Sequence, residues 1–316
     1  MEAKRFICAL PEENIEQKSR YQGIYQLSRI SLIVLFITLG HILLLSMTEE
    51  LNPSKTRMSI AVKVLRLWTP HIILGGPNYK CLILVDEKGK RIDAQIRARD
   101  YFDLFVHILE QGKWFLIYKF IVRETQQESK NSNNQFKILI TCETKVTSIP
   151  PRSSNNFFLL TDGTKFENAT PDERNCCVDF CGKILTVGER TYMTFLDYKG
   201  GYNGEKNVVP FTVLDIDEKV INCMAVGETC LEFIYKMDRI VANPTYQGEQ
   251  IMCMLMFWRT STFGGVHYLM SQMRCSYVFV GDEVQEFTRD PSLAYYYESS
   301  DDEDYEGTEE EEIDSS

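Results

Sequence analysis

Along residues 91–98 apolar and polar side chains alternate strictly, with Ile92, Ala94, Ile96 and Ala98 on one face and Arg91, Asp93, Gln95 and Arg97 on the other. A period of two belongs to a strand with one buried and one polar face, so the chain must supply a sheet for this segment to join. Just upstream, Glu87-Lys88-Gly89-Lys90 is a tight turn that pairs it with an apolar strand over 79–86. Just downstream the period changes. Asp100 is a good N-cap, Phe102, Phe105, Ile108 and Leu109 mark one helical face, and Gly112 ends the helix.

Further strands are expected over 59–68, 114–123 and 136–143. A turn-rich loop with Gly75-Gly76-Pro77-Asn78 follows the first strand, and a Gln-, Ser- and Asn-rich loop over 124–135 follows the fourth. Three strands, a helix and two strands within about 90 residues is the order of an OB-fold barrel, whose loops after strands one and four flank the ligand groove. The second half repeats the order with drift: strands over 176–185, 192–197 with 208–215, and 219–226, a short helix over 228–237, then strands over 250–259 and 266–274. The Gly-rich stretch 199–204 reads as a hairpin loop, since it lacks the Gly-Lys-Ser/Thr ending of a phosphate loop. The expected architecture is therefore all-β with one helix per barrel: two tandem five-stranded OB-folds and a disordered acidic tail. The expected domains are an N-terminal segment 1–57, a first barrel 58–150, a linker 151–172, a second barrel 173–290 and the tail 291–316.

Charge separates the two barrels. The net charge of −11 would argue against a nucleic-acid partner if it were evenly spread. Residues 298–316, however, carry 11 acidic groups and no basic one. Residues 48–152 carry 17 basic and 11 acidic groups, whereas 153–297 carry 12 and 19. A basic first barrel thus precedes an acidic second one, and the tail cannot bury enough apolar surface to fold. The ten Cys form no CxxC pair and the four His are scattered, so no metal site of familiar spacing is present, and buried free thiols in a reducing compartment are expected. No nucleophile–base set or carboxylate pair is identifiable, which points away from an enzyme, and no cofactor is implied. The uncharged apolar run 30–46, preceded by Lys18, Arg20 and Arg29, reads in three ways: a start assigned too far upstream of Met47 or Met58, a membrane anchor, or a buried helix.

Leu84-Val85-Asp86-Glu87-Lys88-Gly89-Lys90-Arg91-Ile92-Asp93-Ala94-Gln95-Ile96 resembles the strand-two to strand-three hairpin of the large subunit of replication protein A, most closely its shortened, diverged plant relatives. Phe263-Gly264-Gly265 and its flanking strands resemble that subunit's second DNA-binding barrel. The resemblance covers roughly 58–290, without counterparts of the family's zinc-ribbon barrel or its N-terminal interaction barrel. It implies single-stranded DNA binding in the nucleus, in replication, repair or recombination, with smaller replication protein A-type subunits or other nuclear proteins as partners; membrane association enters only if 30–46 is an anchor.

The family's barrels present a stacking aromatic at the end of strand three and another opening strand five. Unstacked bases gain about 1–3 kcal/mol each on such a ring. Phe136 matches the strand-five position of the first barrel, and Arg97, whose guanidinium both stacks and contacts phosphate, stands at the strand-three position. In the second barrel Phe263 matches the strand-five platform, while Val226 replaces the usual Trp. Phe136 equally fits the core, since it shares parity with Ile138 and Ile140. Lys63, Arg66, Lys80, Lys88, Lys90, Arg91, Arg97 and Arg99 complete the candidate nucleic-acid face, with a merely solvated basic face as the alternative. Trp68 and Trp114 are expected to pack rather than to stack on bases. A degenerate barrel pair serving as a protein-interaction scaffold is the competing reading.

Overall fold

The computed structural model describes residues 37–38, 41–42, 44–54, 58–70, 79–125, 130–168, 176–196, 202–263, 265–285 and 287. The Gly75–Asn78 loop, residues 199–201 of the Gly-rich stretch and the acidic tail lie outside the described residues. Within residues 1–45, Ile37–Thr38 pairs antiparallel with His41–Ile42. That part of the apolar run is extended, not helical, in keeping with its β-branched Ile37 and Thr38. Among the described residues no helix is long and apolar enough to cross a membrane.

The described residues from Ser46 onward form a single compact unit that contains two OB-fold barrels. In the first, β1 (Met58–Trp68), β2 (Tyr79–Val85) and β3 (Arg91–Arg97) form an antiparallel meander. Strand four comes in two pieces, β4 (Trp114–Tyr118) and β5 (Ile121–Glu124), and strand five is β6 (Phe136–Ile140). The barrel closes because β4 pairs with the start of β1, β5 pairs with β6, and β6 runs parallel to β3. The break in strand four, expected to be continuous over 114–123, falls at Lys119, which takes a left-handed φ of 58°. An added strand, β7 (Lys145–Ile149), flanks β4. Ile60, Val62, Leu82, Leu84, Ile92, Ala94, Ile96, Ile138 and Ile140 fill the interior.

The helix departs from its expected form. A single α turn, α1 (Ala98–Asp100), runs into a π turn over Tyr101–Phe105. Asp100 therefore lies inside the helical segment, and Arg97 holds the capping position. Tyr101, Phe105 and Leu109, each four residues apart, face the core, while Phe102 (59% exposed) and Ile108 (42%) face solvent. The wider π turn lengthens the period, so the stripe expected from a 3.6-residue period is rotated by one position. Gly112 ends the element as expected, at a φ of +84°.

After a short helix in the linker, α2 (Gly163–Asn168), the second barrel follows. It is built from β8 (Cys177–Val187), the long hairpin β9 (Thr191–Leu196) with β10 (Tyr202–Leu214), then β11 (Val220–Val226), α3 (Glu228–Val241), β12 (Met252–Phe263) and β13 (Val266–Met270). Its pairings repeat those of the first: β8 with both β10 and β12, β10 with β11, β12 with β13, and β13 parallel to β11. The helix is longer than expected, and an added strand β14 (Tyr277–Val280) lines the free edge of β12. Where β8 crosses from one partner to the other, Gly182 lies so near β10 that a Cβ would stand 2.3 Å from the Leu214 carbonyl oxygen. Phe180, Phe211, Phe233 and Trp258 dominate this second core.

The two barrels share a third apolar cluster, in which Trp68, Cys81 and Ile83 of the first pack with Cys177, Phe257 and Cys275 of the second. That contact corrects one expectation. Arg91 and Asp93, on the polar face of β3, are buried (8% and 4% exposed), because the second barrel and the 130–132 loop cover that face.

Candidate nucleic-acid interface

Asp179 ties the two barrels together. It sits at a β-bulge in β8, where the register against β12 slips between Val178 and Phe180, and it is fully buried. Oδ2 accepts from the Leu159 amide (2.7 Å) and from the Arg91 guanidinium, while Oδ1 accepts from the Phe257 amide (2.9 Å). One carboxylate thereby joins the linker, both barrels and the left-handed Phe257 (φ 59°). Paired with three donors, the charge is tolerable in the interior.

Arg66 forms a second tie. Its Nε and NH2 donate to the carbonyls of Cys275 (2.7 Å) and Arg274 (2.5 Å), NH1 donates to the Tyr277 hydroxyl, and the guanidinium lies 3.8 Å over the Tyr277 ring. The described end of the loop after strand four, at 130–132, is also bound down; in this fold that loop flanks the groove. Asn131 and Ser132 donate amides to Asp93 (3.0 and 3.1 Å), and Arg259 of β12 donates to the Lys130 carbonyl (2.7 Å) and to Asn131 Oδ1 (2.9 Å). Burial raises the Asp93 carboxyl above its ordinary value, and those donors partly restore it.

The expected basic set therefore divides. Arg66 and Arg91 are structural, each held to the second barrel, and neither stands on the solvated basic face that was expected. Lys63 donates to the Asn155 carbonyl of the linker (3.2 Å). Lys80 lies 5.1 and 5.5 Å from the Tyr101 and Phe102 rings. Lys88 pairs with Glu49 (3.4 Å) at the hairpin tip, where Lys90 is exposed beside it. Arg97 and Arg99 remain exposed (side chains 74% and 90%), each in a local ion pair, with Asp100 at 2.7 Å and with Asp103 at 3.6 Å.

Phe136 and Arg97 do not share a face. Phe136 lies on the core side of β6, half-buried against the barrel interior, as its parity with Ile138 and Ile140 allowed. Arg97 lies on the outer side of β3. Its register partner is Tyr79, half-buried, whose hydroxyl pKa is raised by burial and by Cys81. Four residues along β3 from Arg97, about 13 Å, Lys137 of β6 stands opposite Asp93 on one side and Arg123 on the other. The outer face thus carries exposed Arg97, half-buried Lys137, exposed Arg123 and, packed against the cluster between the barrels, Tyr79. The last three were not singled out from the sequence. The signal for Lys137 was present, since Phe136 and Ile138 facing inward require Lys137 to face outward.

On the second barrel Phe263 is the last residue of β12, paired with Val266, so it closes strand four rather than opening strand five. Val226 is buried with Val208 and Met224 beneath Met193, Phe195, Tyr268, Met270 and Met273. The outer face of that barrel is apolar and methionine-rich. Trp68 and Trp114 are buried packing residues.

Residues 49–169 match the family model described as Domain of unknown function DUF223. The chain resembles the large subunit of replication protein A. A solved replication protein A heterotrimer bound to single-stranded DNA is 17% identical, with a TM-score of 0.48, over 80% of this chain and 54% of that one. The chain thus spans about half the length of that relative. DNA-binding domain A of replication protein A from S. cerevisiae is 18% identical over 35% of this chain and 97% of its own, with a TM-score of 0.27. A murine DNA-binding protein solved with double-stranded DNA is 13% identical over 70% of this chain and 94% of its own, with a TM-score of 0.36. At these identities the likenesses are of fold. No curated protein matches the chain in sequence.

Proposed function

We propose that the chain binds single-stranded DNA through the outer strip of its first barrel. The observation that carries this reading is the placement of Arg97, Lys137 and Arg123 on three adjacent strands of one barrel face, with half-buried Tyr79 paired to Arg97. Cations spaced along a barrel face neutralise successive phosphates, and an aromatic among them offers one base a stacking surface. Arg97 holds the mostly buried Asp100 through Nε and one terminal nitrogen, which leaves the rest of its exposed guanidinium for a phosphate. Three phosphate contacts on a single strand predict a slope of log K against log salt of about −2, hence weak affinity that salt abolishes. We infer for it a replication protein A-like role in replication, repair or recombination in the nucleus, beside smaller subunits of that type.

Fluorescence anisotropy with labelled oligo-dT tests the reading. Arg97→Glu with Arg123→Glu should weaken binding by about tenfold or more and flatten the salt slope. Equal weak binding to duplex and single strand would sink it. A second reading, a barrel pair that serves as a protein-interaction scaffold, is favoured by the burial of Arg91, Asp93 and Ile83 on the first barrel's outer face. On that reading the same double variant leaves function in cells intact.

A further inference from the structure

A cleft of about 820 Å³ opens between the hairpin tip of the first barrel, the linker and the second barrel. It stands at the opposite end of β3 from Arg97, six residues or about 20 Å along the strand, and so lies apart from the strip assigned above. Its size is that of a pocket for a small organic ligand.

Its chemistry is specific. Among the described residues three basic side chains line it, Lys90, Arg91 and Lys165, against one carboxylate, Glu49, which Lys88 already engages at 3.4 Å. Lys165 is paired with Asp162 (2.8 Å), but its side chain is 69% exposed and its pairing exchangeable. Arg91 is the unusual member. Its side chain is only 5% exposed. NH2 serves Asp179 and the Phe157 carbonyl (2.9 Å), while NH1 is buried and has no hydrogen-bond partner among the described residues. A buried guanidinium nitrogen left in that state is costly unless something accepts from it. Asn133 and Gln135, both exposed, add amide groups at the rim. Leu160 and Val178 add apolar lining, with the largely buried Phe166 contributing little surface.

We propose that this cleft binds a nucleotide, its phosphate on Lys90 and Lys165 beside Arg91 and its base on the apolar surface of Leu160 and Val178. Two ammonium groups beside a guanidinium suit a phosphate ester, and amides beside an apolar wall suit a base. The source is either a free nucleotide or the phosphorylated end of a strand, since both present the same group. The site does not depend on strand binding by the outer strip.

Isothermal titration of the full chain with dTMP, thymidine, 5′-phosphorylated oligo-dT and the same oligonucleotide without the phosphate tests it. Because Arg91 also holds the barrels together, the variant is Lys90→Glu with Lys165→Glu, and Lys145→Glu, an exposed lysine outside the cleft, is the charge control. The expected result is binding of dTMP but not thymidine, weakened about tenfold or more by the double variant and unchanged by the control. Tighter binding of the phosphorylated oligonucleotide than of its unphosphorylated form would identify a strand end as the source; dTMP binding without that difference would identify the free nucleotide. Arg97→Glu with Arg123→Glu should leave dTMP binding unchanged, so the two sites fail separately. Absence of dTMP and 5′-phosphate binding at millimolar concentration, or binding indifferent to the double variant, would overturn the proposal.

Discussion

Asp179→Asn is the sharpest probe of how the barrels are joined. The substitution preserves shape, yet both carboxylate oxygens accept hydrogen bonds, from the Phe257 and Leu159 amides and from Arg91. A carboxamide must turn its NH2 toward at least one of those donors and leaves Arg91 without its counter-charge. Losing a charge-assisted bond costs about 1.5–3 kcal/mol and stranding a buried donor about 1–3 kcal/mol. Breaking one side of a buried ion pair costs about 3–5 kcal/mol. These figures overlap, so the expected loss is about 3–5 kcal/mol, against a total of about 5–15 kcal/mol for a typical domain. Urea unfolding followed by tryptophan fluorescence reads it, since Trp68 and Trp258 report on the junction and the second core. The native chain should unfold in one transition, and Asp179→Asn should lower the midpoint and separate the barrels into two. Adding Arg91→Met removes the uncompensated charge and should restore part of the loss. A loss under about 1 kcal/mol, the range of an ordinary surface substitution, would refute the reasoning. So would a double variant no more stable than the single one.

Three further outcomes are expected. Gly182→Ala should destabilise the second barrel by about 1–3 kcal/mol in the same assay, because its Cβ meets the Leu214 carbonyl oxygen, which is backbone and yields little. Stability should fall as pH rises above about 9, where unfolded thiols ionise while the folded chain holds them protonated: burial pushes Cys81 and Cys181 up to about 12, and each contributes about 1.4 kcal/mol of loss per pH unit until its folded pKa is reached. Deleting residues 298–316, which carry 11 carboxylates, should raise oligo-dT affinity at low salt and leave it unchanged at high salt, as removal of a tethered polyanionic competitor requires.

The sequence carried the strand order because each core face obeys a local rule. Ile92, Ala94 and Ile96 alternate, and the turn at 87–90 sets their register against Leu82 and Leu84. What covers the other face is not local. Arg91 and Asp93 look solvated in a strand read alone, and only Asp179, 88 residues beyond Arg91, and Asn131 explain their burial. The helix was misplaced by one position because a π turn is energetically close to an α turn, and the difference is decided by packing of Tyr101 and Phe105. Lys119 breaks strand four without the Gly or Pro that would announce it. The strip of Arg97, Lys137 and Arg123 needed the parallel pairing of β3 with β6, which no hairpin rule supplies.

The clamped loop at 130–132 has a thermodynamic consequence. A loop that closes over its ligand orders chain and buries surface on binding, and leaves a negative heat-capacity change and a conformational-entropy cost. Here Asp93 and Arg259 have already spent that ordering on the fold. Strands should therefore associate with the first barrel as with a rigid surface: heat-capacity change near zero, enthalpy nearly constant with temperature, and affinity governed by counterion release.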